Sequence, residues 1–116
     1  MLFKSHIAWH KLVESAEEIP WQDNGLCIMD ISGKKVTLVL FRDKVYAVAY
    51  KCPHAGGIMS EGWVDAAGNI VCPLHRYKFN IQNGRNISGE GYFLKIFPIE
   101  IKPDGLYIGF EEKKWF

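Results

Sequence analysis

Three runs of β-branched and aromatic residues, LCIMDI (Leu26–Ile31), KVTLVLF (Lys35–Phe41) and KVYAVAY (Lys44–Tyr50), stand almost end to end, separated only by SGK and RDK. Gaps that short leave room for hairpin turns and nothing longer, so the runs predict three consecutive antiparallel strands. Ahead of them, IAWHKLVESAEEIP reads as a strand over Ala8–Val13 and then one helical turn, with Ser15 and Glu18 as a capping box and Pro20 as the stop. Behind them, GWVDAAGNIV predicts a hairpin turning over Asp65–Asn69 around Gly68. The stretch KFNIQNGRN predicts a strand and a turn with Asn83 and Gly84 as the left-handed pair. A last hairpin joins Phe93–Ile101 to Leu106–Phe110 through Pro103–Gly105, and Phe93, Phe97, Ile99 and Ile101 recur at the even spacing of a half-buried strand. No linker, repeat or low-complexity tract interrupts these 116 residues. The expectation is a single all-β domain over residues 1–116, an antiparallel sandwich or partly open barrel.

Charge narrows the function classes. The formal net charge is +1, which argues against a nucleic-acid binder and against a strongly acidic partner surface. No apolar run approaches the roughly 20 residues that cross a bilayer. The opening MLFKSHIAWHKLV carries Lys4, His6 and His10 within its apolar part, a poor signal peptide and a poor anchor. Three cysteines are an odd number and do not suggest a disulfide framework. Together these features predict a soluble cytoplasmic protein that binds neither membrane nor nucleic acid.

Two short segments concentrate the chemistry. CPHAGG (Cys52–Gly57) and CPLHRY (Cys72–Tyr77) each offer one thiol and one imidazole: Cys52 and His54 one residue apart, then 17 residues, then Cys72 and His75 two residues apart. A zinc finger would keep its two cysteines in one knuckle and its two histidines on a following helix. Here Pro53 and Pro73 directly follow the cysteines and disfavour helical geometry at both places. Paired loops could still present two thiolates and two imidazoles to a single tetrahedral zinc, so that alternative stays open.

The pattern CxH, a spacer of this length, and CxxH resembles the Rieske family, and the resemblance runs from about Trp9 to Phe110. It implies a Rieske fold with a two-loop cluster-binding subdomain at about residues 51–80, holding one [2Fe-2S] cluster. By that resemblance Cys52 and Cys72 ligate one iron, and His54 and His75 ligate the other, solvent-facing iron, where the added electron goes. Gly56 and Gly57 would let backbone amides approach the cluster, and the two prolines would stiffen its loops.

Departures from the family pattern refine the expectation. Respiratory-chain members have two further cysteines that join the loops, and a serine and a tyrosine whose hydroxyls bond the cluster sulfurs. The matching positions here are Gly57 and Leu74, and Tyr77 and Phe79. Each missing hydrogen bond removes stabilisation of the reduced state, so the expected midpoint is on the order of −150 to 0 mV. The resemblance thus implies a one-electron carrier rather than an enzyme: the ferredoxin component of an oxygenase-type chain. Its donor would be a flavin-dependent reductase and its acceptor an oxygenase, docking near His54, His75, Arg76 and Tyr77. The alternatives are a small subunit of a nitrite-reductase-like complex and a non-redox zinc module. Elsewhere, His6 and His10 read as surface histidines and Cys27 as a buried inert thiol. Trp9, Trp21, Trp63 and Trp115 read most simply as core or surface packing groups, with Trp63, between the ligand segments, the one that could also shield the cluster, and no pair of carboxylates suggests acid–base catalysis.

Overall fold

In the computed structural model, which describes residues 3–54 and 56–115, the chain forms ten strands: β1 (Phe3–Val13), β2 (Leu26–Ile31), β3 (Lys34–Phe41), β4 (Lys44–Ala49), β5 (Trp63–Val64), β6 (Asn69–Val71), β7 (Lys78–Asn80), β8 (Ile96–Phe97), β9 (Ile99–Lys102) and β10 (Gly105–Trp115). They assemble as three antiparallel sheets, ordered β1-β10-β9, β2-β3-β4-β8 and β5-β6-β7.

The central hairpins form where their turns are cheapest. Ser32 and Gly33 both have positive φ (53° and 86°), as do Arg42 and Asp43 (51° and 64°). Two consecutive left-handed residues make the turn whose twist matches paired strands, so Ile31 pairs with Lys34 and Phe41 with Lys44. Ser15 caps the 3-10 turn Ala16–Glu18 as a full capping box. Asp65 organises the β5–β6 turn, its Oδ1 accepting from the amides of Ala67 and Asn69 at 3.0 Å each, with Gly68 at φ 85°.

Four differences from the sequence expectations have physical causes. β1 begins at Phe3 rather than Ala8, because it pairs along its length with the equally long β10. β3 begins at Lys34 rather than Lys35, because a two-residue turn suffices. Of Asn83 and Gly84 only the glycine is left-handed, at φ 76°, while the Asn83 side chain accepts from the Arg85 amide at 2.8 Å. The run Phe93–Ile101 is not one strand. Pro98, which has no amide to donate, divides it into β8, paired with β4, and β9, paired with β10. Phe93 and Ile101 consequently stand 68% and 80% exposed.

The core has two parts. One cluster, including Val36, Leu38, Ala47, Ile108 and Phe110, fills the space between the β1-β10-β9 sheet and the central sheet. The other, including Val39, Val48, Met59, Ile70 and Phe79, fills the opposite face beneath β5-β6-β7. The central sheet is therefore covered on both faces, which is why Val36, Thr37, Leu38 and Val39 are all buried in succession. Cys27 belongs to the first cluster, and burial pushes its thiol pKa up. His6 faces Glu112 across β1–β10 at 3.8 Å, and the His10 ring lies 5.1 Å from Phe110.

Thr37, Ser60 and Asn69 are the buried polar residues among those described, and the Thr37 hydroxyl has no hydrogen-bond partner there. Replacing Thr37 with Val removes that unsatisfied group at nearly constant shape. Thr37→Val is expected to raise unfolding stability by about 1 kcal/mol, read as a higher urea midpoint with an unchanged slope.

Candidate metal centre

Both Cys/His segments are loops of the same backbone design. In the first, the Cys52 amide donates to the Gly57 carbonyl at 2.7 Å and the Gly56 amide donates to the Cys52 carbonyl at 3.1 Å. In the second, the Cys72 amide donates to the Tyr77 carbonyl at 2.9 Å and the Arg76 amide donates to the Cys72 carbonyl at 3.0 Å. Each loop thus closes on its own cysteine from four and five residues ahead. Such closure needs a left-handed residue at the fourth place after the cysteine, which is Gly56 (φ 72°) in one loop and Arg76 (φ 59°) in the other. The first loop is pinned by the Lys51–Ile58 bridge, and the second connects β6 to β7.

This design divides the four candidate ligands by depth. Cys52 and Cys72 are 3% and 1% exposed and belong to the core cluster beneath the small sheet. His54 is half-buried and His75 exposed, and their Nδ1 atoms face each other 3.3 Å apart. Two imidazole nitrogens bound tetrahedrally to one metal at about 2.1 Å stand about 3.4 Å apart, so this separation suits joint ligation of one ion. Among the described residues, no three His, Cys, Asp or Glu side chains gather to hold a single ion. The donors come as an outer imidazole pair and an inner thiol pair.

Space around the thiols is tight. A Cβ on Gly57 would lie 2.9 Å from Cys72 Sγ and 3.0 Å from Leu74 Cγ, closer than packed atoms come. The backbone of the first loop therefore reaches the second cysteine only because that position has no side chain. The pairing of the imidazoles and this bare approach to sulfur both fit a cluster seated between the loops.

Aromatic rings cover one imidazole more than the other. Tyr77 stacks on His54 with centroids 4.2 Å apart, and Tyr92 lies 5.4 Å from His54 and 6.0 Å from Tyr77. His75 has His54 edge-on at 4.9 Å and Tyr77 at 6.2 Å. Burial pushes the Tyr77 hydroxyl pKa up, with the Glu90 charge acting in the same direction. Trp63 is half-exposed on β5, paired with Val71, and makes no ring contact among the described residues. Tyr92 does not stand out in the sequence, where the Tyr-Phe pair closing SGEGYF (Ser88–Phe93) is the available signal. Exposed apolar groups surround the same end of the site in the chain: Leu74 beside His75, and Phe93 beside Tyr92.

Paired Cys/His loops on a three-sheet antiparallel body define an iron–sulfur domain. A sequence model of the Rieske [2Fe-2S] domain matches residues 9–93, and the chain belongs to that family. Its cofactor is a Rieske-type [2Fe-2S] cluster. A ferredoxin subunit of 3-phenylpropionate/cinnamic acid dioxygenase from Photorhabdus laumondii is 26% identical over 101 residues, 86% of this chain and 93% of the relative. The complex of reduced oxygenase and oxidized ferredoxin in carbazole 1,9a-dioxygenase is 25% identical with a TM-score of 0.71, over 86% of this chain and 91% of the matched one. A proposed small subunit of an NADH-dependent nitrite reductase from Mycobacterium tuberculosis shares the fold, with a TM-score of 0.73 at 22% identity over 90% of this chain and 96% of the other.

Arg76 carries a backbone cost that glycine would not. A side chain in the left-handed region costs roughly 1–2 kcal/mol, and glycine returns part of that as lost unfolded-state freedom. Arg76→Gly is expected to raise stability by about 0.5–1 kcal/mol in thermal or urea unfolding, and a loss of stability would contradict the strain.

Proposed function

We propose that the chain is the ferredoxin component of an oxygenase-type electron chain, a carrier with no catalytic turnover of its own. The observation that carries this reading is the pair of imidazoles facing each other at 3.3 Å on the outer edge, above two buried cysteines. Cys52 and Cys72 hold one iron, and His54 and His75 hold the other. When bound, the cluster accepts and releases a single electron. The protein's own part is to seat it in two hydrogen-bonded loops, to bury the thiolate side in the core and to present the imidazole side. On this reading the chain is one domain in which residues 51–80 form the cluster-binding part, a span that takes in both loops and the β5-β6-β7 sheet.

Donor and acceptor dock in turn at the imidazole edge, near His54, His75, Arg76 and Tyr77. The donor is a flavin-dependent reductase and the acceptor an oxygenase. The ferredoxin name of the P. laumondii relative and the oxygenase–ferredoxin complex support the oxygenase as acceptor, and the flavin-dependent donor rests on the family resemblance. Among the described residues no helix is long and apolar enough to cross a membrane. A cytoplasmic carrier agrees with that and with a Cys27 thiol outside any disulfide.

The separation of donors into an outer imidazole pair and an inner thiol pair favours two irons over one tetrahedral zinc, which needs all four donors around one point. The nitrite-reductase-like reading rests on shared fold. Gel filtration and pull-down from the native cell separate the two redox readings: a free shuttle elutes alone, a subunit with its reductase.

Two measurements test the proposal. Cys72→Ser and His75→Ala are each expected to abolish the visible cluster absorption and the iron and acid-labile sulfide content; retained absorption would refute the ligand set. Redox titration is expected to give a midpoint on the order of −150 to 0 mV, because Phe79 has no hydroxyl and the Tyr77 ring stacks on His54. A midpoint above about +150 mV would sink the low-potential assignment.

A further inference from the structure

A second cluster of polar side chains lies beside the imidazole edge, in the glycine-rich loop between β7 and β8. Asn86 uses both ends of its amide there. Its Nδ2 donates to Glu90 Oε1 at 2.9 Å, to the Lys78 carbonyl at 3.3 Å and to Ser88 Oγ at 3.4 Å. Its Oδ1 accepts from the amides of Glu90 at 2.6 Å and Gly91 at 3.2 Å. Ser88 Oγ donates to the same Glu90 oxygen and accepts from the Lys78 amide at 2.9 Å. One asparagine and one serine therefore fold residues 86–91 back on themselves and fasten them to β7. Two residues past the fastened carboxylate comes Tyr92, whose ring packs against His54 and Tyr77.

We infer that Asn86, Ser88 and Glu90 form a clasp that holds a fixed carboxylate and the Tyr92 ring against the His54 side of the centre, and that this carboxylate lowers the midpoint potential of the cluster. The inference rests on the ligand set proposed above. Ser88 and Asn86 hydrogen bonds hold the Glu90 carboxyl below the usual carboxylate range, so the charge is permanent at neutral pH. Taking up one electron adds a negative charge to the site, and a negative group held nearby disfavours that charge. Among the described residues no cation pairs with Glu90: neither Arg85 nor Lys95, the nearest cations in the sequence, comes within ion-pair distance, and the Lys78 ammonium lies 3.8 Å from Asp65 instead. Glu90 is thus a positioning and tuning residue that touches no iron, and it acts in the same direction as the missing hydroxyl donors.

The test is a redox titration of the purified holoprotein and of Glu90→Gln, each at low and at high salt, with iron and sulfide measured per chain. Gln preserves the shape and the capacity to bond Ser88 and Asn86 but carries no charge. A higher midpoint in Glu90→Gln, with the gap narrowing as salt rises, is the expected result. Asn86→Ala keeps the charge but frees it, so a smaller upward shift is expected, and adding Asn86→Ala to Glu90→Gln should change little further. A cluster-loaded Glu90→Gln with the native midpoint at both salts overturns the inference and leaves the ligand set standing. A Cys72→Ser chain that still holds iron and sulfide overturns the ligand set, and the inference with it.

Discussion

Burial of the central sheet on both faces is the constraint from which the rest of the molecule follows. Val36 and Leu38 point into the core shared with the β1-β10-β9 sheet, and Val39 points into the core beneath the small sheet. A sheet with two apolar faces cannot sit at the surface, so the long outer strands must cover one face and the loop-bearing sheet must cover the other. Cys52 and Cys72 lie inside this second core beside Met59 and Phe79. The thiols are held by the same packing that stabilises the fold, and the metal centre is therefore an extension of the core rather than an appendage to it.

From that base the two loops rise as near copies of one hydrogen-bonded frame, and their differences matter more than their likeness. The first uses glycine at its left-handed position and again at the next residue, where the backbone passes against Cys72 Sγ. The second accepts a strained arginine at the equivalent left-handed place. Strain of this kind persists only where the surrounding bonds over-determine the conformation, and here the closures from Arg76 and Tyr77 onto Cys72 do so. The outcome is an exposed cation directly beside an exposed histidine, on the edge proposed for partner docking.

What was legible in the sequence was local. The hairpins from Leu26 to Tyr50 were readable because two-residue turns and β-branched runs act over a few residues, and the capping box at Ser15 because its partners are three apart. The Cys/His pairing was readable because few chemistries need those residue types at that spacing. The division of Phe93–Ile101 was not, although Pro98 marked the place. Period-two alternation says that a segment is extended, and it is silent on which sheet receives each half. Only the distant partners, β4 for Ile96–Phe97 and β10 for Ile99–Lys102, decide that. The Asn86 clasp was equally hidden, since Asn, Ser and Glu among glycines read as an ordinary polar loop until their side chains converge.

Asymmetry between the two imidazoles is the property most specific to this chain. A symmetric pair of loops would present His54 and His75 equally, yet Tyr77 and Tyr92 cover His54 while His75 stays open beside Leu74 and Arg76. Tyr77 comes from the second loop and Tyr92 from the glycine-rich loop between β7 and β8, so the cover depends on both being folded at once. Where a respiratory-type centre has a hydroxyl bonded to sulfur, this chain has a ring laid on a histidine, exchanging a stabilising hydrogen bond for an apolar wall. Such a wall covers the His54 side of the proposed iron site and leaves the His75 side open. The features proposed to weaken the pull on the electron, the absent hydroxyls and the clasped carboxylate, thus lie on the same side as the rings that cover His54 and away from the open side at His75.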